Sequence, residues 1–543
     1  MSIIDWIVLI VTLASIIIYG VYKSRTSKDL DGYFLSNRDM PWYLVLFSIM
    51  GTQASAITFL SAPGQAYTDG MRFVQYYFGL PLAMIVICVV FVPVFNRLKV
   101  YTAYEFLENR FDLKTRTLTS LLFQVSRGLS TGISIYAPSI ILSSLLGWNI
   151  YFTNAIMGGM LIIYTVSGGA RAVAHTQKLQ LIIVFTGMFL AGYLVVHFMP
   201  ENIGFIKALH IGGNNGKMNI ITSGRNENGF DWKDKYNIWS GVIGGFFLAL
   251  SYFGTDQSQV GRYLTAQNNR QSKMGLLMNG LVKVPMQFLI LLLGVLIFSF
   301  YQFHKAPIYF NATQVERAKQ TNYKSALVAL EGDYAKVAPD DAPAKAKIKT
   351  EYKTVLSSAL PAEDVNDTNY IFLRFVIDYL PRGLIGLLIA VIFLSAWGSI
   401  AAALNALASC TVVDIHKKFF RKDLTQQEDY RISKWYTFGW GIFSILVAEF
   451  ASNLGNSLIE TVNILGSLFY GVILGIFLIA FWFRNIKANA TFYASVIAEV
   501  LVIIIYNANI ISFLWLNVIG ALLVIMIGFV LQIFSKRATK ISA

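Results

Sequence analysis

The sequence predicts an all-α integral membrane protein with about thirteen transmembrane helices, and three observations carry that prediction. Of 543 residues, 55% are hydrophobic and only 14% charged, where a soluble chain would carry about a quarter charged residues. Apolar runs of roughly 20 residues, the length that spans a bilayer, recur from end to end. Inside two of these runs a polar, glycine-led phrase returns, first as Gly51-Thr52-Gln53-Ala54-Ser55 and then as Gly254-Thr255-Asp256-Gln257-Ser258. Lipid offers no hydrogen-bond partner to opened backbone, so such a phrase belongs where a broken helix lines a cavity.

Taken in order, the runs place helices at about 3–22, 41–62, 73–96, 117–145, 150–168, 179–199, 238–261, 274–302, 383–411, 435–452, 457–482, 488–506 and 511–533. The first lacks a basic leader and an A-x-A-like cleavage site, carries Asp5 early and has its basic residues after it, so it reads as a mature helix. Alternate connections are basic: Lys23, Arg25, Lys28 and Arg38; Arg97, Lys99, Arg110, Lys114 and Arg116; Lys417, Lys418, Arg421, Lys422, Arg431 and Lys434; and the tail Lys536, Arg537 and Lys540. The net charge of +14 is therefore topological and does not indicate a nucleic-acid partner. The positive-inside rule puts the N-terminus outside and the C-terminus in the cytoplasm, in a plasma (inner) membrane. The two long connections, about 200–236 and 303–382, then lie outside. The second holds an Ala/Lys/Glu-rich stretch, Lys324 to Leu356, that reads as two short helices split by Ala338-Pro339-Asp340-Asp341. Cys88 and Cys410 fall in or at the end of apolar helices, so neither a disulfide framework nor a cysteine metal site is indicated. No HExxH pattern or Walker loop is present, which argues against a zinc protease and a nucleotide-driven pump.

Several phrases together resemble the sodium:solute symporters, which include bacterial carriers of galactose, proline and sialic acid. They are Asp31-Gly32-Tyr33-Phe34, Ser55-Ala56-Ile57-Thr58-Phe59, Tyr101-Thr102-Ala103-Tyr104-Glu105-Phe106-Leu107 with Arg110-Phe111, Gly168-Gly169-Ala170-Arg171-Ala172-Val173, Asp256-Gln257 with Arg262, and Leu404-Asn405 leading to Asp414-Ile415. The resemblance runs from about Asp29 to Arg484. It implies a LeuT-type five-plus-five inverted repeat. An extra helix and loop occupy 1–40, the first repeat 41–199, a loop 200–237, the second repeat 238–484 with its insertion at about 303–382, and two further helices with a basic tail 485–543. Each glycine-led phrase then opens the first helix of a repeat. The resemblance implies a secondary transporter, not an enzyme, coupling sodium to a small polar solute in the lipid bilayer by alternating access, with no organic cofactor.

By the same resemblance, a sodium ion would take the carbonyls of Gly51 and Ala54 with groups of Ser395, Gly398 and Ser399. A bare sodium ion needs about five or six oxygen ligands, and broken helices supply carbonyls. Many relatives have adjacent hydroxyl residues where this chain has Gly398-Ser399. Relatives also commonly read Thr-Asp-x-x-Gln where this chain reads Thr176-Gln177-Lys178-Leu179-Gln180. A second sodium is thereby disfavoured, and the Lys178 ammonium becomes a candidate cation surrogate, unless it snorkels to the interface.

Of 44 basic residues, only Arg127 and Lys283 lie well inside predicted spans. An intramembrane charge is expensive and points to function. Lys283 matches a lysine that contacts sugar in the galactose carrier, and Arg127 an arginine that holds the carboxylate in the sialic-acid carrier. The other expected solute contacts are Gln53, Ser55 and Thr58 from the first broken helix, Gln75, Tyr76 and Tyr77 from the next, Asp256, Gln257 and Gln259 from the second break, and Asn463. The galactose carrier has a glutamate at the position of Tyr77. The expected solute is a sugar or sugar derivative, with an acidic solute such as sialic acid or another carboxylate as the alternative. Sodium-independent or proton-coupled transport, and a transporter-like sensor or intramembrane enzyme, stay open.

Overall fold

The computed structural model describes residues 1–23, 30–338, 341–361, 365–421, 425–451 and 457–541, the side chains at 20, 21, 23, 167–172, 342 and 536–541 excepted. Arg25, Lys28, Pro339, Asp340 and Lys422 lie outside the described residues. So do the side chains of Lys23, of the glycine-led stretch 168–172 and of Lys536, Arg537 and Lys540.

Among the described residues, eight helices are long and apolar enough to cross a bilayer, and a bent pair makes a ninth. That pair is Trp42–Gln53 and Ala56–Asp69, which meet at 59°. The other four expected segments are helical too: Ile3–Lys23, Ile150–Val166, Gln426–Phe450, and Ser240–Gly254 followed by Gln257–Tyr263. Polar caps set several starts. The Asp112 carboxylate accepts the Thr115 amide ahead of Leu113–Leu146, and Thr425 with Glu428 closes a capping box ahead of Gln426–Phe450. Gly147, at φ +66°, ends Leu113–Leu146 in the left-handed conformation that suits glycine.

The expected gap between helices at 169–178 is absent, because the backbone is helical throughout Ile150–His197. Hydropathy drops there, but helix formation needs only hydrogen-bonded backbone, and no proline interrupts it. The expected helix at 73–96 instead begins as a 3₁₀ turn, Met71–Tyr77, and passes through Leu80–Val86 and a π-helical turn to Val92–Leu98. The insertion folds as Ala312–Ala318, Lys324–Lys336 and Ala342–Ala359 around its own small core of Tyr309, Ala318, Leu327, Tyr352 and Leu356.

The first helix is tied to the bundle. The Asp5 carboxylate accepts the Gly383 amide at 2.5 Å, and a Cβ on Gly386 would sit 2.0 Å from the Asp5 carbonyl oxygen. Helix Leu384–Cys410 is buried along nearly its whole length, packing against Leu113–Leu146 and Ile150–His197. That central position puts Ser395, Gly398 and Ser399 in the interior.

Candidate functional site

The first break frees two backbone carbonyls. The Ser55 amide turns back to the Gln53 carbonyl at 3.0 Å, so it does not close the helical bond to Gly51. The Thr58 amide goes to the Ser55 carbonyl at 3.0 Å and not to Ala54. Gly51 and Ala54, the two carbonyls expected of an ion site, are thus released by local geometry. Facing them, the Ser399 hydroxyl bonds back to the carbonyls of Ser395 and Ala396, each at 3.0 Å, and Ser395 bonds back to Val391 at 2.8 Å. Both serines are held within their helix, and Ser399 also lines the interior cavity described below.

Gln177 is the group that bridges this region. Its amide nitrogen donates to the Gly398 carbonyl at 3.1 Å and to Thr52 Oγ1 at 3.3 Å, while its oxygen accepts from Ser48 at 3.0 Å. The side chain lies in a slot between two glycines. A Cβ on Gly51 would meet Gln177 Cγ at 2.8 Å, and one on Gly398 would meet Gln180 Oε1 at 2.6 Å and Gln177 Cγ at 3.2 Å. Lys178, next in sequence, is half-buried with its ammonium 5.7 Å from the Tyr43 ring. Tyr43 lies at the start of Trp42–Gln53, away from the break, so it is Gln177 and not the Lys178 ammonium that meets Thr52 and Gly398.

Beside the break lies a cavity of about 90 Å³, lined by Gln53, Ser55, Thr58, Tyr77, Arg127 and Asn463 among others. A second, of about 60 Å³, shares Gln53, Ser55 and Arg127 with it and reaches Thr52 and Ser399. With Tyr76, which also lines the first, seven expected solute residues are brought together, and the solute space meets the expected ion site. Arg127 is the charge at the centre, with its guanidinium 5.9 Å from the Tyr252 ring and Nε without a partner.

Four expected contacts are committed elsewhere. Gln75 braces the loop before the second broken helix, donating to the carbonyls of Arg72 and Tyr236 and to Thr222. Gln257 accepts from the Ala103 amide at 3.0 Å and donates to the Tyr101 carbonyl at 2.7 Å, fastening the loop after the third span. Asp256 caps Gln257–Tyr263 and accepts from Tyr470 at 2.7 Å. Gln259 donates to the Tyr252 hydroxyl at 2.7 Å. Asp256 and Gln259 thus act one step back, positioning the cavity tyrosines. Lys283 is fully buried behind Tyr77, its ammonium 5.6 Å from that ring, and is not among the cavity-lining residues. The sequence reading missed Ser130, Thr131 and Ser134, which follow Arg127 at helical spacing, and Tyr252 and Tyr470.

Comparison with known proteins then decides the family. The sodium:solute symporter family model matches residues 33–331 and 350–498. The chain belongs to that family. This symporter is 26% identical to the sodium/sialic acid symporter NanT of Aliivibrio fischeri, over 97% of this chain and 92% of that one. It is 26% identical to the sodium-coupled monocarboxylate transporter 1 of Xenopus laevis, over 89% and 68% respectively. A solved structure of a substrate-bound, outward-open Na⁺-coupled sialic acid symporter matches with a TM-score of 0.79 at 23% identity, covering 98% of each chain. The fold is thereby the LeuT type. The protein is a multi-pass membrane transporter, not an enzyme, and sodium and a small solute are the species it moves.

In this symporter the cavity lies between two wider vestibules. One, of about 830 Å³, is lined by Gln65, Arg72, Asp234, Lys235 and Glu460 on the side of the long connections. Between it and the cavity, Tyr76 donates to Asn463 at 3.0 Å, Ser457 donates to Gln65 at 2.9 Å, and Lys235 pairs with Glu460. The other, of about 630 Å³, is lined by Glu105, Glu108, Arg116, Lys417 and Lys418 on the basic side. There the buried Asp414 accepts from Arg116 at 2.5 Å, Thr102 at 2.7 Å and Ser120 at 3.0 Å. Glu108, in the loop helix Glu105–Arg110, is partly desolvated, yet its bonds to Lys418 and Arg116 hold its carboxyl below the usual range.

Proposed function

We propose that this symporter couples one sodium ion to the uptake of a small organic acid, with Arg127 holding the carboxylate. The observation that carries the reading is one cavity in which Arg127, the polar break and Ser399 meet. A guanidinium offers two parallel donors to a carboxylate. Thr58, Asn463 and Gln53 supply neutral donors and acceptors for the rest of the solute. Cavities of about 90 and 60 Å³ have room for a few heavy atoms, against roughly 300 Å³ or more for a drug-sized ligand. A small carboxylate fits as they stand, and an acidic sugar enters once side chains move. The names of the relatives, sialic acid and monocarboxylates, agree with an acidic solute. With Lys283 and three of the expected amides outside the cavity, a neutral sugar is the weaker reading.

Sodium would lie among the freed carbonyls of Gly51 and Ala54 and the Ser399 hydroxyl. Gln177 saturates the adjoining Gly398 carbonyl, which supports a stoichiometry of one. The repeats would span 41–199 and 238–484, with the N-terminus outside and the basic side cytoplasmic. The test is uptake by proteoliposomes carrying an inward sodium gradient. Labelled short carboxylates and acidic sugars should accumulate in sodium and not in choline, with a sodium Hill coefficient near one. Accumulation of neutral sugars alone, or equal uptake in choline, would refute the proposal.

A further inference from the structure

Helix Asn269–Phe300 carries three polar residues one turn apart: Asn279, Lys283 and Gln287. All three are fully buried, and neither the lysine ammonium nor any of the four amide heteroatoms has a hydrogen-bond partner. Spacing of four residues places them on one helix face, over about 12 Å of its length. Two close contacts locate that face. A Cβ on Gly275 would meet Val45 at 2.8 Å, and one on Gly294 would meet the Pro63 carbonyl oxygen at 2.1 Å. The helix therefore runs alongside the first broken helix in the same direction, and Lys283 falls at the level of the break. There Ser55 makes no side-chain cap for Ala56–Asp69, the Ala56 and Ile57 amides show no partner while Thr58 bonds the Ser55 carbonyl, and Gln53 Oε1 also lacks a partner. Tyr77 separates this stripe from the Arg127 cavity.

A buried ammonium without a counter-charge is expensive, as are buried amides without partners. Donors outnumber acceptors here: an ammonium, two amide NH₂ groups and an uncapped helix N-terminus all favour negative charge. We propose that Asn279, Lys283 and Gln287, with the start of Ala56–Asp69, form a subsite for a small monovalent anion, separate from Arg127 and reached when Tyr77 turns. The anion is an inorganic halide bound beside the sodium ion.

Melting of the purified full-length chain, at constant sodium, in chloride, bromide or methanesulfonate tests it. Halide should raise the melting temperature saturably in the parent. Lys283→Met should raise half-saturating halide at least tenfold and melt no lower than the parent in methanesulfonate, since it relieves an unpaired charge. Gln287→Leu keeps the charge and should raise half-saturating halide severalfold. That arm needs no solute, so it stands or falls apart from the uptake reading. Melting curves identical in all three salts overturn the subsite.

Discussion

Gln177→Glu replaces one polar atom of a buried amide that bridges the first broken helix and Leu384–Cys410. In the parent, the amide nitrogen donates to the Gly398 carbonyl and to Thr52, at 3.1 and 3.3 Å. Glutamate keeps the oxygen that accepts from Ser48 but points a second, anionic oxygen at those same two acceptors. Both acceptors keep their other bonds, but a buried charge without a partner costs about 3–5 kcal/mol, so without a cation the variant should lose about that much. A sodium ion between the new carboxylate and the Gly398 carbonyl would offset that loss, and at 100 times its Kd it would restore about 2.7 kcal/mol. The assay is a melting titration with sodium against choline at fixed ionic strength, paired with the sodium dependence of uptake. The variant should melt well below the parent in choline, recover steeply in sodium, and show a Hill coefficient moving from near one toward two. Gln177→Leu should lose stability without any gain in sodium response. A glutamate variant depressed equally in sodium and choline would refute the reasoning, because a proton, not a cation, would then be satisfying the carboxylate.

Three further substitutions probe the neighbouring parts. Arg127→Lys keeps the charge but loses the bidentate geometry; acidic-solute affinity should fall roughly ten- to a hundredfold, the equivalent of about 1.5–3 kcal/mol, while melting without solute holds. Gly398→Ser puts a Cβ 2.6 Å from Gln180 Oε1; the overpacking should cost about 1–3 kcal/mol, and melting of the double variant Gly398→Ser, Gln180→Ser should show the loss reduced. Asp414→Asn breaks a buried pair with Arg116 and should destabilise by about 3–5 kcal/mol, seen as a lower melting temperature that solute does not rescue.

The break was legible because a glycine-led polar phrase inside an apolar run has few physical explanations. Arg127 was legible for a similar reason: a cation deep in a span must face something polar. Side-chain direction was not. Adjacent residues on a helix diverge by about 100°, which separates Gln177, turned inward, from Lys178, turned toward Tyr43. Residue type alone also cannot tell an amide that lines a cavity from one that braces a loop. Gln53 is third and Gln257 fourth in their glycine-led phrases; Gln53 lines the cavity, yet Gln257 is spent on Ala103 and Tyr101. Tyr252 and Tyr470 were hidden among 28 tyrosines and needed the fold to bring them to Arg127.

The two departures from the family pattern, Gly398 for a hydroxyl residue and Gln177 for an acid, look like separate losses along the chain. In the structure they are one exchange. The Gln177 amide needs the room that a side chain at 398 would take, and it satisfies the carbonyl that an ion would otherwise hold. Its second bond goes to Thr52, within the phrase whose Gln53 and Ser55 line the solute cavity and whose Gly51 and Ala54 carbonyls are freed. With sodium and solute bound as proposed, a rearrangement of that one unwound segment would alter the ion ligands and the solute contacts together. Coupling between the two cargoes would then follow from their sharing a few residues of chain, which Gln177 ties through Thr52 to the helix Leu384–Cys410.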